Sequence, residues 1–264
     1  MKITLDEAAK IIGDAQTIIL TSHIRPDGDS IGSTLGLMHY LRAQGKDARV
    51  LIDDDLPRIF KVLPGLEMIE RPAEGVRYTA DLLIVCDVEL KRTGNVVSSV
   101  DAVRVLNIDH HVTNDEEAEY LYLNPDYAAT CEIMHDLIGA MGGTFSLDVA
   151  TCLYTGMATD TGFFRFSNTT PHTMRAAADL IEVGVKPNII SVAMELKSYD
   201  EVMAQVRAIR NLEMFHDGMV AAVFIDEEKA KEVTTTEGLL DKLRVIEGTQ
   251  VVFFMKWLEQ DSYR

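Results

Sequence analysis

Residues 17–33 read TIILTSHIRPDGDSIGS, and this stretch decides the fold class. The run Thr17–Thr21 has the length and β-branched content of a buried strand. It breaks into a polar turn, after which Ile31, Leu35, Met38 and Leu41 recur at helical spacing. A strand, a loop and a helix in succession open an alternating α/β unit. Working outward, the alternation predicts strands over 48–52, 82–86 and 103–108, and helices over 130–141, 149–158 and 171–183. The expected fold is α/β, with a mostly parallel doubly wound sheet covered by helices on both faces.

Further along, Leu196, Val202, Val206, Ile209 and Leu212 predict a long polar helix over 191–215 that links two domains. The first would span 1–190. The second, 216–264, offers a strand over 220–225, a helix over 238–245 and a strand over 249–257. Roughly fifty residues make a thin core, so this smaller α/β domain is expected to be incomplete.

The chain has 264 residues, is 47% hydrophobic and carries a formal net charge of -17. Long nucleic-acid duplexes, which are gripped by clustered Lys and Arg, are poor partners for such a surface. A short substrate held through bound cations is compatible with it. The N-terminal run MKITLDEAAKIIGDAQ has charges throughout, and no stretch approaches the roughly 18 apolar residues of a membrane span. The expectation is a cytoplasmic protein with no membrane partner. Cys86, Cys131 and Cys152 lie among apolar neighbours without CxxC spacing and read as small buried hydrophobes.

Chemistry concentrates where strands end. His23, Asp27 and Asp29 follow the first strand, Asp87 follows LLIVC, and Asp109, His110 and His111 close VRVLNI. In a doubly wound sheet, the carboxyl ends of the strands line one edge. The side chains would therefore converge there, and carboxylates that close repel one another unless a positive charge lies between them. Oxygen and imidazole donors without thiolate suit manganese, magnesium or zinc. Gly28 lets the first loop turn tightly between its two aspartates. Ser30 and Ser33 then open a helix whose free amides would attract phosphate. Asp160 ends another apolar helix, and Arg165 could hold a phosphate oxygen in bidentate fashion. Taken singly, each Asp could be a cap, the paired histidines a solvated face and PDGD an ordinary turn. His39, His135, His172 and His216 lie away from acidic clusters and read as structural.

The run SHIRPDGDSIGS, the isolated Asp87, the Asp109-His110-His111 triplet and GMATDTGFFRFSNT resemble, in order, the four motifs of the DHH phosphoesterases. The likeness spans about residues 17–170. The segments FRFSNT and NPDYAATCE are most similar to the branch of bacterial oligoribonucleases and phosphoadenosine-phosphate phosphatases. The resemblance implies a pair of divalent cations, manganese first, with magnesium or cobalt as alternatives. It implies His23, Asp27 and Asp87 on one, and Asp29, Asp87, His110 and Asp160 on the other. Asp109 would orient an imidazole and His111 would face the substrate phosphate. Substrates would be short RNA, linear dinucleotides or 3'-phosphoadenosine 5'-phosphate. A homodimer is allowed but not required. The family's associated domain usually ends in a GGGH segment that this sequence lacks, so either the chain is a piece of a longer one or its substrate site is reduced. A manganese-dependent pyrophosphatase or exopolyphosphatase is the alternative enzyme, and a non-catalytic metal- or nucleotide-sensing module the alternative of another class.

Overall fold

The structure, a computed structural model, describes residues 1–230, 233 and 238–258. The end of the expected second domain, 259–264, lies outside the described residues. The chain forms two compact units, Met1–Glu195 and a second from Leu196 onward.

In the first unit the elements run α1 (Leu5–Asp14), β1 (Thr17–Thr21), α2 (Gly28–Ala43), β2 (Asp47–Leu51), β3 (Ile69–Glu70) and β4 (Tyr78–Cys86). They continue with α3 (Val96–Ser99), β5 (Val100–Asp109), β6 (Tyr120–Leu123), α4 (Thr130–Ala140), α5 (Leu147–Asp160), α6 (Pro171–Val183) and α7 (Pro187–Glu195). The six strands form one sheet in the order β3-β2-β1-β4-β5-β6, every pair parallel. That order reverses direction between β1 and β4, as in doubly wound sheets.

Alternation along the strands assigns residues to two faces. Ile18, Leu20, Leu82, Ile84, Leu106 and Ile108 join the larger core with α2, α4 and α5. Ile19, Leu51, Leu83 and Val85 face the other way, against α3 and its preceding turn. Truncating one of these fully buried leucines to Ala would cost about 2–5 kcal/mol. The helical cover is uneven, thick on the first face and thin on the second.

Within the thick layer α2 lies hard against α5. A Cβ on Gly32 would come within 2.6 Å of the Cys152 carbonyl oxygen, a backbone atom that cannot yield. Close approach lays the N-terminus of α2 beside the C-terminus of α5, and so sets Asp29 near Asp160.

The second unit contains α8 (Tyr199–Ile209), β7 (Leu212–Phe215), β8 (Val220–Ile225), α9 (Glu227–Ala230), α10 (Leu239–Arg244) and β9 (Val251–Lys256). Its sheet, β7-β8-β9, has β7 antiparallel and β9 parallel to β8. Val223, Ile225, Val233, Leu239 and Leu243 fill its core.

The single helix expected over 191–215 does not form. Ser198 starts a new helix instead: its hydroxyl accepts the Glu201 N–H at 3.2 Å, and the Glu201 carboxylate accepts the Ser198 N–H at 2.6 Å. This capping box has a plain signature, S-x-x-E, which the continuing apolar periodicity obscures. Leu212, the last apolar residue of that series, belongs to a strand. Among the described residues, no helix is long and apolar enough to cross a membrane.

Candidate metal centre

The carboxyl ends of β1 and β4 flank the point where strand order reverses, the usual ligand crevice of such sheets. His23 follows β1 and Asp87 follows β4. Asp87 has a φ of 67°, a left-handed conformation that Asp tolerates better than most residues, and its N–H donates to the Ile108 carbonyl at 2.9 Å. This turn directs its carboxylate across the strand ends. Asp109 ends β5, with His110 and His111 beyond it, and Asp160 ends α5.

Asp87 divides its two oxygens between two groups. Oδ2 lies 3.7 Å from His23 Nε2, which is also 3.6 Å from Asp27 Oδ2. Oδ1 lies 3.5 Å from His110 Nε2, which is also 3.9 Å from Asp29 Oδ2 and 3.4 Å from Asp160 Oδ2. Asp29 and Asp87 form the floor, whereas the side chains of Asp27 and His111 are 55% and 46% exposed and form the open side.

Both imidazoles are held the same way. His23 Nδ1 donates to the Ile24 carbonyl at 2.9 Å, and His110 Nδ1 donates to the Tyr127 carbonyl at 3.2 Å. In the neutral ring this places the lone pair on Nε2, toward the carboxylates. His110 Nε2 is buried and lacks a hydrogen-bond partner among the described residues. A lone pair and three carboxylates pointed at common space fit a cation. Among the described residues, three overlapping triads bring ligand atoms within 4.8 Å of one another: His23-Asp27-Asp87, Asp29-His110-Asp160 and Asp87-His110-His111.

Electrostatics give the same result. Two like charges about 4 Å apart repel by roughly 4 kcal/mol at an effective dielectric near 20. Burial pushes the Asp29 carboxyl well up, and Asp87 and Asp160 push it further. Yet Asp29 accepts the Thr130 N–H at 2.6 Å and the Cys131 N–H at 2.8 Å, bonds that favour the carboxylate. Positive charge resolves this opposition. Without a metal, protons supply it: burial opposes charging of His23, but Asp27 and Asp87 push its pKa up to about 10. Burial likewise opposes charging of His110, and Asp160 and Asp87 raise it. Oxygen and nitrogen donors of this kind suit a divalent metal.

The remaining expected residues divide. Asp109 Oδ1 accepts from His111 Nδ1 at 2.8 Å and from the backbone N–H of His110 at 2.7 Å, so it braces the triplet. Arg165 is exposed, and its Nε donates to the Gly162 carbonyl at 2.7 Å. Ser30 and Ser33 do not reach the open side. Both are fully buried; Ser30 Oγ accepts the Asp27 N–H at 2.9 Å in a capping box, and Ser33 Oγ donates to the Ser30 carbonyl at 3.2 Å. Asp27 caps the helix and joins the cluster at once, because Oδ1 accepts the Ser30 N–H while Oδ2 lies 3.6 Å from His23 Nε2.

Two further residues, absent from the expected set, support the centre. Thr130, at the start of α4, donates its hydroxyl to Asp87 Oδ1 at 3.0 Å as well as its N–H to Asp29. Asn114 Nδ2 donates to Asp109 Oδ2 at 2.6 Å and to Asn107 Oδ1 at 2.8 Å. The polar Asn107 within an apolar strand is the one sequence signal for the second; backbone donors such as the Thr130 amide leave none.

Comparison with known proteins gives the family of the chain. The profile described as the DHH family, N-terminal domain, matches residues 17–157. The bifunctional oligoribonuclease and PAP phosphatase NrnA of Thermus thermophilus is 34% identical over 245 residues, spanning 92% of this chain and 73% of the relative. Its Bacillus subtilis counterpart is 26% identical, spanning 98% and 83%. A crystal structure of an exopolyphosphatase-related protein from Bacteroides fragilis superposes with a TM-score of 0.85 at 25% identity, over 96% of this chain and 79% of that one. The strand-end aspartates and histidines, the sheet and these relatives agree: the chain belongs to the DHH family, in the branch of the NrnA proteins.

Proposed function

We propose that this chain hydrolyses phosphate esters in short oligoribonucleotides, linear dinucleotides and 3'-phosphoadenosine 5'-phosphate, using two divalent cations, manganese first. The NrnA relatives, whose names give both activities, support the substrate class. His23, Asp27 and Asp87 would hold one cation, and Asp29, Asp87, His110 and Asp160 the other. Bound there, the pair would lower the pKa of the attacking water and draw off charge from the phosphoryl oxygens.

The chain's own residues do the rest. Asp87 serves both groups with separate oxygens. Asp109 pushes the pKa of His111 up, which favours an imidazolium able to donate from Nε2 to a phosphoryl oxygen on the open side. Arg165 brings a guanidinium fork that matches phosphate geometry. With a net charge of -17, the chain's grip on substrate has to be local, which favours small nucleotides over long duplexes.

The observation that carries this reading is the buried His110 Nε2, without a hydrogen-bond partner among the described residues and ringed by Asp29, Asp87 and Asp160. The test is manganese-supplemented hydrolysis of a linear diadenylate, 3'-phosphoadenosine 5'-phosphate and pyrophosphate. Turnover of the first two, abolished by chelator and by Asp87→Ala, is expected. Undiminished manganese-dependent hydrolysis in Asp87→Ala, or turnover of pyrophosphate alone, would refute it.

A further inference from the structure

The loop after α5, residues 161–168, contains three successive left-handed residues: Gly162 with φ 55°, Phe163 with φ 57° and Phe164 with φ 62°. Glycine adopts this freely, but two phenylalanines rarely do, and such geometry persists only where the surroundings enforce it. Here the Phe163 N–H donates to the Ala158 carbonyl at 2.6 Å and the Phe164 N–H to Thr161 Oγ1 at 3.0 Å. The consequence is placement. The N–H groups of Arg165 and Phe166 both donate to the Thr161 carbonyl at 2.9 Å, which folds the two residues back onto Thr161, the neighbour of Asp160 in the chain. On the return, Asn168 Nδ2 donates to the carbonyls of Asp160 at 3.1 Å and Ala128 at 3.3 Å.

The three aromatic rings have different fates. Phe163 and Phe164 pack against the main core, Phe164 at 5.6 Å from the Tyr154 ring. Phe166 stays 48% exposed, its ring tip so close to Gly162 that a Cβ there would lie 2.4 Å from it. A single exposed aromatic is ordinary on a protein surface. This one is fixed by a left-handed turn, seated on Gly162 and tied by a backbone bond to Thr161, next in the chain to Asp160 of the candidate metal centre.

We propose that Phe166 is a nucleobase platform: the base of a nucleotide substrate stacks on its ring while the adjoining Arg165 holds phosphate. The proposal rests on the phosphoesterase reading above and adds to it the group that recognises the base. Stacking on an aromatic ring tolerates any base, since every base has a π face. The pair would therefore select nucleotides over other phosphate esters without selecting sequence.

The test compares 3'-phosphoadenosine 5'-phosphate with ribose 3,5-bisphosphate, which lacks the base, in the wild type and in Phe166→Ala, Phe166→Leu and Phe166→Trp. Losing the platform should raise KM for the adenine compound about tenfold in the Ala and Leu variants, with kcat within about twofold. The Trp variant should restore KM, and the base-free compound should respond to none of the changes. An unchanged KM for the adenine compound, or an equal loss on both compounds, would overturn the platform while leaving the phosphoesterase standing. A wild type that hydrolyses neither compound would overturn the function and the platform with it.

Discussion

The Thr130 hydroxyl donates to Asp87 Oδ1 across 3.0 Å, and the same residue's backbone N–H donates to Asp29 Oδ2 at 2.6 Å. One residue at the start of α4 thus orients two carboxylates that come from different strand ends. Thr130→Val keeps the shape and the amide and removes only the hydroxyl. Groups that orient metal ligands typically contribute ten- to a hundredfold in affinity. Manganese affinity by titration calorimetry should therefore fall about tenfold or more in Thr130→Val and stay close to wild type in Thr130→Ser, with circular dichroism unchanged in both. Equal affinities in all three proteins would show that the hydroxyl orients nothing that matters.

Gly156 separates α5 from the same carboxylate. A Cβ at this position would lie 2.2 Å from Cys131 Sγ, 2.8 Å from Asp29 Oδ1 and 3.0 Å from Asp29 Cα. Neither neighbour is the far end of a flexible chain. Gly156→Ala should lower unfolding stability by about 1–3 kcal/mol, as overpacking of a close-packed core does, measured by urea titration. It should also weaken manganese binding, because relief of the clash moves Asp29. Full stability together with full affinity would mean that the helices part more easily than their contacts imply.

Much of this candidate cluster is legible in the amino-acid sequence. Asp87 and Asp109 stand out because an apolar strand that ends in an acid, at the expected ligand edge, repeats a pattern that independent turns have no reason to share. His110 and Asp160 follow from the same reasoning. What stays hidden depends on partners far away along the chain. The Thr130 amide is 101 residues from Asp29, and a backbone donor has no side-chain signature. Ser30 and Ser33 mislead because hydroxyls at a helix start serve a phosphate or the helix itself equally well, and only packing decides. The strand β7 is masked for a similar reason, since Leu212 continues a helical series that the capping box at Ser198 has already reset.

Metal removal offers a check on the whole centre. A ligand that binds only the folded state stabilises it by RT ln(1 + [L]/Kd), about 2.7 kcal/mol at a hundredfold excess over Kd. For a chain of this size that corresponds to a melting temperature roughly 5–10 °C above that of the chelated protein. Asp87→Asn, which withdraws the charge serving both groups, should abolish the manganese-dependent rise. A variant that still gained the full shift would place the cation elsewhere.

The sign of the pH dependence should differ between the chelated and the metal-loaded protein. In the chelated protein, burial works to lower the His23 pKa, but Asp27 and Asp87 overcome it and raise the value to about 10, above the 6.5 of a free imidazole. A folded-state pKa above the unfolded one means that the native protein holds this proton more tightly. The resulting stability is complete below about pH 6.5 and is lost as pH rises toward 10. His110 is shifted in the same direction. A cation has to displace these protons, so metal affinity should instead increase with pH over the accessible part of that window. Urea unfolding of the chelated protein at pH 6.5, 8 and 9.5 should show stability declining, with a shallower decline in His23→Gln. Manganese titrations at pH 6.5 and 8 should show affinity rising. A chelated protein equally stable across that range would mean that Asp27 and Asp87 do not hold the His23 proton as their 3.6 and 3.7 Å separations imply.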